Sequence, residues 1–61
     1  MIEILKEHSE NEARTRMYRN SMSKTHPITV QLLDDNHGTL IVSTRCRTME
    51  TAEKYFNEYK N

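Results

Sequence analysis

Ile28-Thr-Val-Gln-Leu-Leu-Asp-Asp-Asn-His-Gly-Thr-Leu-Ile-Val-Ser-Thr44 is the stretch of sequence that decides the fold. Both of its ends alternate apolar and polar side chains, which is the period of a half-buried β-strand. The middle, Asp34-Asp-Asn-His-Gly38, favours a turn, because Asp and Asn side chains bond to nearby backbone N–H groups and tolerate left-handed conformations. The stretch therefore predicts a β-hairpin.

A helix is predicted directly after this hairpin. Past Cys46 the apolar period changes from two to about three and a half residues, which is the helical period. The stripe consists of Met49, Ala52, Phe56 and Tyr59. Thr48 is the expected N-cap, and Glu50 stands in the first turn, where a negative charge complements the free N–H groups. We expect this helix to lie across the apolar face of the sheet.

Two more strands are predicted before the hairpin, separated by polar loops at 9–12 and 21–24. A four-residue first loop would set Ile4 opposite Met17, and the second would set Met17 opposite Ile28. All three side chains then share one face of the sheet. A helix through 11–22 is the alternative, but its apolar positions make only a thin stripe.

These elements predict an α+β fold: a four-stranded antiparallel β-meander with one C-terminal helix packed on one sheet face, in the order ββββα. Residues 1–61 are expected to form a single small domain, because 61 residues are enough for one domain at most. Its stability should be marginal, because a chain this short removes only about 60% of its unfolded surface from water on folding. In the predicted register Leu32 lies opposite Leu40. The core that we expect consists of Val30, Leu32, Leu40, Val42, Ala52 and Phe56.

Composition limits the classes of protein to consider. Apolar residues make up 34% of the chain and Trp is absent, which is near the lower limit for a packed core, so a homodimer that shares its core is one expectation. The formal net charge is zero, so any electrostatic recognition must be local. The single Cys46 cannot form an internal disulfide, and residues 1–6 are too polar for a signal peptide or membrane span. We expect a cytoplasmic, reduced protein without membrane contact.

No catalytic or metal site is predicted. His8, His26, His37 and Cys46 lack the close pairs that metal sites use. Asp34 and Asp35 are ordinary turn residues. Nucleophilic catalysis by Cys46 would need a base and an orienting group that the sequence does not place, so a small buried hydrophobe is the favoured interpretation. We therefore expect no cofactor and no enzyme activity.

Arg45 and Arg47 flank Cys46 and could lower its pKa. This is the one sequence feature that would favour a reactive thiol.

Candidate binding residues lie on the sheet face turned away from the helix, which we call the outer face. They are Arg14, Arg16, Tyr18, Leu33, Ile41, Arg45 and Arg47. Arginine and tyrosine could bind single-stranded nucleic acid by neutralising phosphates and stacking bases. Glu7, however, is expected opposite Arg14, and cross-strand ion pairing would explain such arginines on a solvated face. Leu5, Leu33 and Ile41 would form an apolar patch that suits a protein partner or a second copy.

Three segments of the chain resemble small accessory proteins of tailed bacteriophages. They are Ile2-Glu-Ile-Leu-Lys-Glu-His-Ser-Glu-Asn-Glu-Ala-Arg-Thr-Arg-Met-Tyr18, Pro27-Ile-Thr-Val-Gln31 and Thr51-Ala-Glu-Lys-Tyr55. The resemblance implies a product that binds and redirects a host protein, and it transfers no catalytic residues.

Two hypotheses for the function remain. The first is a non-enzymatic interaction protein, expected from a phage, that binds and modulates a host protein. The second is a small protein that binds single-stranded nucleic acid on the outer face. The sequence leaves open which partner is bound and whether the protein is a homodimer. Edge pairing of the strand from Leu40 to Cys46, which lacks proline, would produce a homodimer.

Overall fold

The computed structural model describes residues 2–60. This part of the chain contains four antiparallel strands and one helix. They are β1 (Ile2–Glu10), β2 (Ala13–Asn20), β3 (Ile28–Asp34), β4 (Thr39–Cys46) and α1 (Met49–Lys60). The sheet order is β1-β2-β3-β4, so the sheet is a meander, and α1 packs on one face. The predicted ββββα fold is confirmed, with a strand rather than a helix within 11–22. Met1 and Asn61, the ends of the predicted domain, lie outside the described residues.

The core lies between α1 and the sheet face that it covers, which we call the inner face. Its buried apolar side chains are Met17, Ile28, Val30, Cys46, Ala52 and Phe56. The predicted core is confirmed for Val30, Ala52 and Phe56, whereas Leu32 and Val42 are only half-buried. The reason is that α1 packs most closely over β3 and β2, toward the end of the sheet where β3 begins.

The helix begins as its sequence predicts. Thr48 Oγ1 accepts a hydrogen bond from Thr51 N over 3.3 Å, so Thr48 is the N-cap. Tyr59 reaches β4, where its hydroxyl bonds to the Thr44 hydroxyl. The ring of Phe56 is buried in the core. The cap and these two aromatic contacts fix the helix along the sheet.

A two-residue turn joins β1 and β2, where the sequence predicted a four-residue loop. Asn11 has φ 52° and Glu12 has φ 64°, so both residues are left-handed. Two successive left-handed residues give the turn whose twist matches that of the flanking strands. The strands therefore run on to Glu10 and Ala13.

A β-bulge in β1 moves residues in the first half of the strand, Ile4 and Leu5 among them, to faces other than those predicted. Lys6 lies opposite Met17, but Ile4 lies opposite Tyr18, so Leu5 is the extra residue. The prediction that Ile4 shares the inner face with Met17 is wrong, because Ile4 is on the outer face and 53% exposed. Leu5, predicted on the outer face, instead packs against the core.

The connection between β2 and β3 covers residues 21–27 and is longer than predicted. It is closed by a hydrogen bond of 2.7 Å from Asn20 N to Pro27 O. Met17 consequently lies opposite Val30 and not opposite Ile28. Because this shift is an even number of residues, the side chains of β2 and β3 keep their predicted faces.

A second irregularity, in the β3–β4 pairing, removes Leu40 from the core. Leu32 lies opposite Val42, whereas Leu33 lies opposite Leu40, so Ile41 is the extra residue of β4. The predicted pairing of Leu32 with Leu40 is therefore wrong. Leu40 stands beside Leu33 on the outer face and is 48% exposed, because a one-residue slip turns a side chain over.

Candidate interaction surface

Cross-strand rows organise the outer face. The first row consists of Ile4, Tyr18, Thr29 and Arg45. The second row consists of Glu7, Arg16, Gln31 and Ser43. The third row consists of Ser9, Arg14, Leu33 and Leu40. The register thus places Arg14, Arg16, Tyr18, Leu33 and Arg45 on this face. Ile41 lies in the bulge at its edge, and Arg47 follows the end of β4.

Arg14 and Arg16 are held in ion pairs. Arg16 Nε donates to Glu7 Oε2 over 3.1 Å, and Arg14 Nη1 lies 3.8 Å from the same oxygen. Arg14 Nε lies 3.2 Å from Asp35 Oδ1, although its N–H is not aligned for a hydrogen bond. The hydroxyl of Ser9 donates to the other Asp35 oxygen over 3.0 Å. The prediction that Glu7 lies opposite Arg14 is therefore wrong: Glu7 lies opposite Arg16, and Arg14, which lies opposite Ser9, reaches Glu7 only diagonally.

This pairing decides what the two arginines can offer to a ligand. The side chains of Arg14, Arg16, Glu7 and Asp35 are between 30% and 42% exposed, so each pair contributes only about 0.2–1 kcal/mol. Their charges nevertheless neutralise one another within a few ångströms. Little positive charge remains there for a phosphate.

An apolar corner, made of Leu33, Leu40 and Ile41, occupies the end of the outer face beside the β3–β4 turn. Ile41 is 59% exposed and Leu40 48%, while Leu33 is half-buried. Leu5, the third member of the predicted patch, is absent from this corner because it packs against the core. Leu40 takes its place, so an apolar patch exists but is concentrated along β4.

A concavity of about 170 Å³, the Arg45 pocket, lies at the opposite end of the outer face. Its lining residues are Tyr18, Asn20, Ser23, His26, Thr29, Ser43 and Arg45. Arg45 Nη2 donates to Ser23 Oγ over 3.4 Å, and Gln31 Nε2 donates to the Tyr18 hydroxyl over 3.5 Å. The fold therefore brings Tyr18 and Arg45, both predicted candidates, to one site.

Arg47 extends toward the rim of this pocket. Its Nε donates to His26 Nε2 over 3.4 Å, an arrangement that needs an unprotonated nitrogen on His26. Neither Arg45 nor Arg47 forms an ion pair with a carboxylate of residues 2–60. The outer face thus has one neutralised group of arginines and one that keeps its charge.

Sequence reasoning missed several residues of this surface. Leu40 was assigned to the core, because no residue in β4 signals the bulge that turns it outward. His26 is considered above only as a metal ligand, although Pro27 after it marks the point where the loop returns to the sheet. Asn20 and Ser23 lie in or beside the loop and gave no signal of their own.

The Cys46 thiol is placed for packing rather than for chemistry. Cys46 lies opposite Ile28 on the inner face and is 2% exposed, whereas Arg45 belongs to the outer face. Burial raises the pKa of the Cys46 thiol above its ordinary 9.0. The interpretation as a buried hydrophobe is confirmed, and the suggestion that Arg45 and Arg47 lower its pKa is wrong.

Asp34 and His37 close the β3–β4 turn. His37 Nδ1 lies 2.9 Å from Asp34 Oδ2, and Asn36 N donates to Asp34 Oδ1 over 3.0 Å. The hydrogen bond from His37 lowers the pKa of the Asp34 carboxyl below its ordinary 3.8. These contacts are those of a turn, as the sequence predicted.

Neither a metal-binding group nor a membrane-spanning helix is found within residues 2–60. No three His, Cys, Asp or Glu side chains in this range come together as a group that could hold a metal ion. In the same range no helix is long and apolar enough to cross a bilayer.

Comparison of the chain with protein-family models, with curated proteins and with solved structures finds no match.

Proposed function

We propose that this protein is a non-enzymatic interaction protein and that a partner protein docks on the apolar corner and the adjoining edge of β4. The observation that carries this proposal is the exposure of Ile41 and Leu40 side by side, at 59% and 48%. Single exposed apolar residues are ordinary, but a cluster at a sheet edge is typical of a contact surface. Covering it would gain about 25 cal/mol for each Å² of apolar surface removed from water.

The backbone of β4 supports the same docking mode. β4 is the last strand of the sheet, so one side of its backbone has no strand neighbour among the described residues. It carries a single charged side chain, Arg45, and no proline. An extended segment of a partner can pair with such an edge, where backbone hydrogen bonds give affinity and side chains give specificity.

We further propose that the partner is a bacterial host protein, which the protein binds and modulates in the host cytoplasm as a phage accessory product. The support for this origin is the sequence resemblance of the β1–β2 region, the start of β3 and the helix to such proteins. A single buried thiol, Cys46, is compatible with a reducing compartment.

Single-stranded nucleic acid is the alternative ligand of the outer face. The observation in its favour is the Arg45 pocket, where Tyr18 could stack on a base while Arg45 and Arg47 bind phosphates. The ion pairs of Arg14 and Arg16 count against it, because a strand crossing the face would have to replace Glu7 and Asp35.

The proposal is tested by affinity capture from a bacterial lysate with matched variants. Wild-type protein should retain one host protein in a stoichiometric amount, and Ile41→Lys should lose it, because a charge in the apolar corner opposes docking. Met22→Lys is the control, since Met22 is 80% exposed in the β2–β3 connection and lies outside the corner. Capture of RNA alone, or equal capture by both variants, would refute the proposal.

The nucleic-acid alternative has its own test. Fluorescence anisotropy with a labelled single-stranded oligonucleotide should show binding that weakens steeply with salt if Arg45 and Arg47 contact phosphates. Loss of one of these arginines should then lower the salt slope by about one unit. Flat titrations at low salt would remove this alternative.

A further inference from the structure

The Arg45 pocket holds positive charge that the described chain leaves uncompensated. Arg14, Arg16 and Arg19 each lie within 3.8 Å of a carboxylate oxygen. Arg45 and Arg47 have no such partner among residues 2–60, and no Asp or Glu lines the pocket. Because a guanidinium is always protonated in proteins, this charge is present at every physiological pH.

Neutral donors surround this charge. Ser23 Oγ accepts hydrogen bonds from Arg45 Nη2 and from His26 N, each over 3.4 Å, so its hydroxyl proton is left to donate elsewhere. Asn20 Oδ1 accepts from Met22 N over 3.0 Å, which leaves the Asn20 Nδ2 group as a donor. The pocket thus combines a permanent cation with uncharged N–H and O–H groups, the combination that binds an anion.

The rim is fixed by backbone hydrogen bonds. Asn20 N donates to Pro27 O over 2.7 Å, and Ser23 N donates to Asn20 O over 3.1 Å. A pre-formed rim lowers the entropy lost when a ligand binds. The volume of about 170 Å³ is well above the roughly 10–15 Å³ that a cavity needs to hold one water, so a single small oxyanion fits.

We propose that the Arg45 pocket binds an oxyanion group, a carboxylate or a phosphate, with Arg45 as its charge partner, Ser23 and Asn20 as neutral donors and Arg47 adding charge at the rim. A guanidinium can offer two parallel N–H groups to two oxygens of either anion. The inference rests on the proposed function in one respect, namely that the oxyanion belongs to the partner that docks on the same face.

The test uses the full chain, labelled with ¹⁵N, and two probes: sodium phosphate and sodium acetate, with sodium chloride keeping the ionic strength constant. Saturable shifts are expected at the amides of Ser23, Thr29 and Arg45. Saturation by phosphate alone identifies a phosphate ligand, and saturation by acetate as well includes a carboxylate.

Variants distinguish specific binding in the Arg45 pocket from the general attraction of anions to a positively charged surface. Arg45→Gln should weaken binding by about tenfold or more, because a charged hydrogen bond is lost. Arg19→Gln is the matched control and should bind as wild type, since Arg19 lies outside the pocket and pairs with Glu3. Ser43→Glu, which adds a carboxylate to the lining, should abolish binding independently of any effect of Arg45→Gln on folding.

Three results would overturn the proposal: shifts that do not saturate, shifts that chloride alone produces, and wild-type binding by Arg45→Gln or Ser43→Glu. If an oligonucleotide competed with phosphate and also shifted the amide signals of Arg14 and Arg16, the outer face would be a surface for nucleic acid and not a pocket for one oxyanion.

Failure of the pocket and failure of the proposed function can be told apart. Capture of the same partner by wild type and by Arg45→Gln, with equal affinity, refutes the statement that the oxyanion belongs to that partner, while the proposed function stands. Saturable anion binding without capture of a protein partner supports the pocket and refutes the proposed function.

Discussion

At the scale of single residues, backbone strain in the β1–β2 turn offers the simplest test of the structure. Glu12 has φ 64°. This left-handed conformation costs a residue with a side chain roughly 1–2 kcal/mol, whereas glycine adopts it without a comparable cost. The Glu12 side chain makes no hydrogen bond or ion pair with the described residues. We therefore expect Glu12→Gly to raise the free energy of unfolding by about 1 kcal/mol, measured by urea denaturation.

Glu12→Ala is the control for this substitution. It removes the same carboxylate but keeps a Cβ in the left-handed conformation, so its stability should remain close to that of wild type. Equal stabilisation by Ala and Gly would mean that charge, and not backbone strain, is responsible.

The second prediction at this scale concerns Cys46 and pH. Because burial raises its pKa in the folded state above the ordinary 9.0, the folded chain holds this proton more tightly than the unfolded chain does. The stabilising contribution is therefore complete below pH 9.0 and is lost as the pH rises through the folded-state pKa. Stability measured from pH 8 to 10.5 should fall more steeply for wild type than for Cys46→Ala.

Alkylation gives an independent check on the same residue. At pH 8, iodoacetamide should modify Cys46 in the native protein far more slowly than in urea, because the thiol is buried and protonated. Equal rates in both solutions would show that Cys46 is accessible in the folded state.

At the scale of secondary-structure elements, periodicity could predict the type of each element but not the irregularities between them. The alternation around Val30 and the stripe through Ala52 and Phe56 depend on local sequence, and both elements were predicted correctly. The two bulges depend on how one strand fits another, which no local period reports. Local alternation therefore predicts the wrong faces for Leu5 and Leu40.

Some residues of the candidate site could likewise be predicted from the sequence, and others could not. The alternation of β2 placed Arg14, Arg16 and Tyr18 on the outer face, because shifts of two residues preserve the face. The Arg45 pocket could not be predicted, since it depends on the loop that brings Ser23 and His26 over the end of the sheet. The sequence of such a loop has no periodic pattern of apolar residues from which the path of the chain could be predicted.

Docking of α1 on the sheet is tested by Phe56→Ala. Phe56 is 5% exposed, and its ring lies beneath the ammonium groups of Lys6 and Lys60, at 5.7 and 6.0 Å from the centroid. Truncating a buried Phe costs about 3–5 kcal/mol, a large part of the total stability of a domain near the low end of about 5–15 kcal/mol. Thermal melting followed by circular dichroism should show a melting temperature far below that of wild type, with part of the protein already unfolded at 25 °C.

Asn57→Ala is the matched control, because Asn57 is exposed on the same turn of α1. Its stability should lie within about 0.5 kcal/mol of wild type. If Phe56→Ala melted at the temperature of Asn57→Ala, α1 would not dock as described.

At the scale of the whole molecule, the two edges of the sheet differ in how well they are protected. β1 carries Glu3, Lys6, Glu7 and Glu10 and is interrupted by a bulge, and both features discourage pairing with another strand. Both edges expose apolar side chains, Ile2 and Ile4 on β1 and Leu40 and Ile41 on β4, but β4 has only Arg45 as a charged residue. Intermolecular contact should therefore occur through β4.

The last prediction is that two copies pair through β4 when no other partner is present. A chain of 7.3 kDa buries a small core, and pairing would cover the apolar corner as well as the backbone of the edge. Light scattering at tens of micromolar should give twice this mass. Ser43→Lys should give the monomer, because a two-fold axis near the middle of β4 would bring the two lysines together, while Thr51→Lys on the exposed side of α1 should leave the dimer intact. A wild-type mass near 7.3 kDa would show that β4 is protected in solution and that its partner is a different molecule.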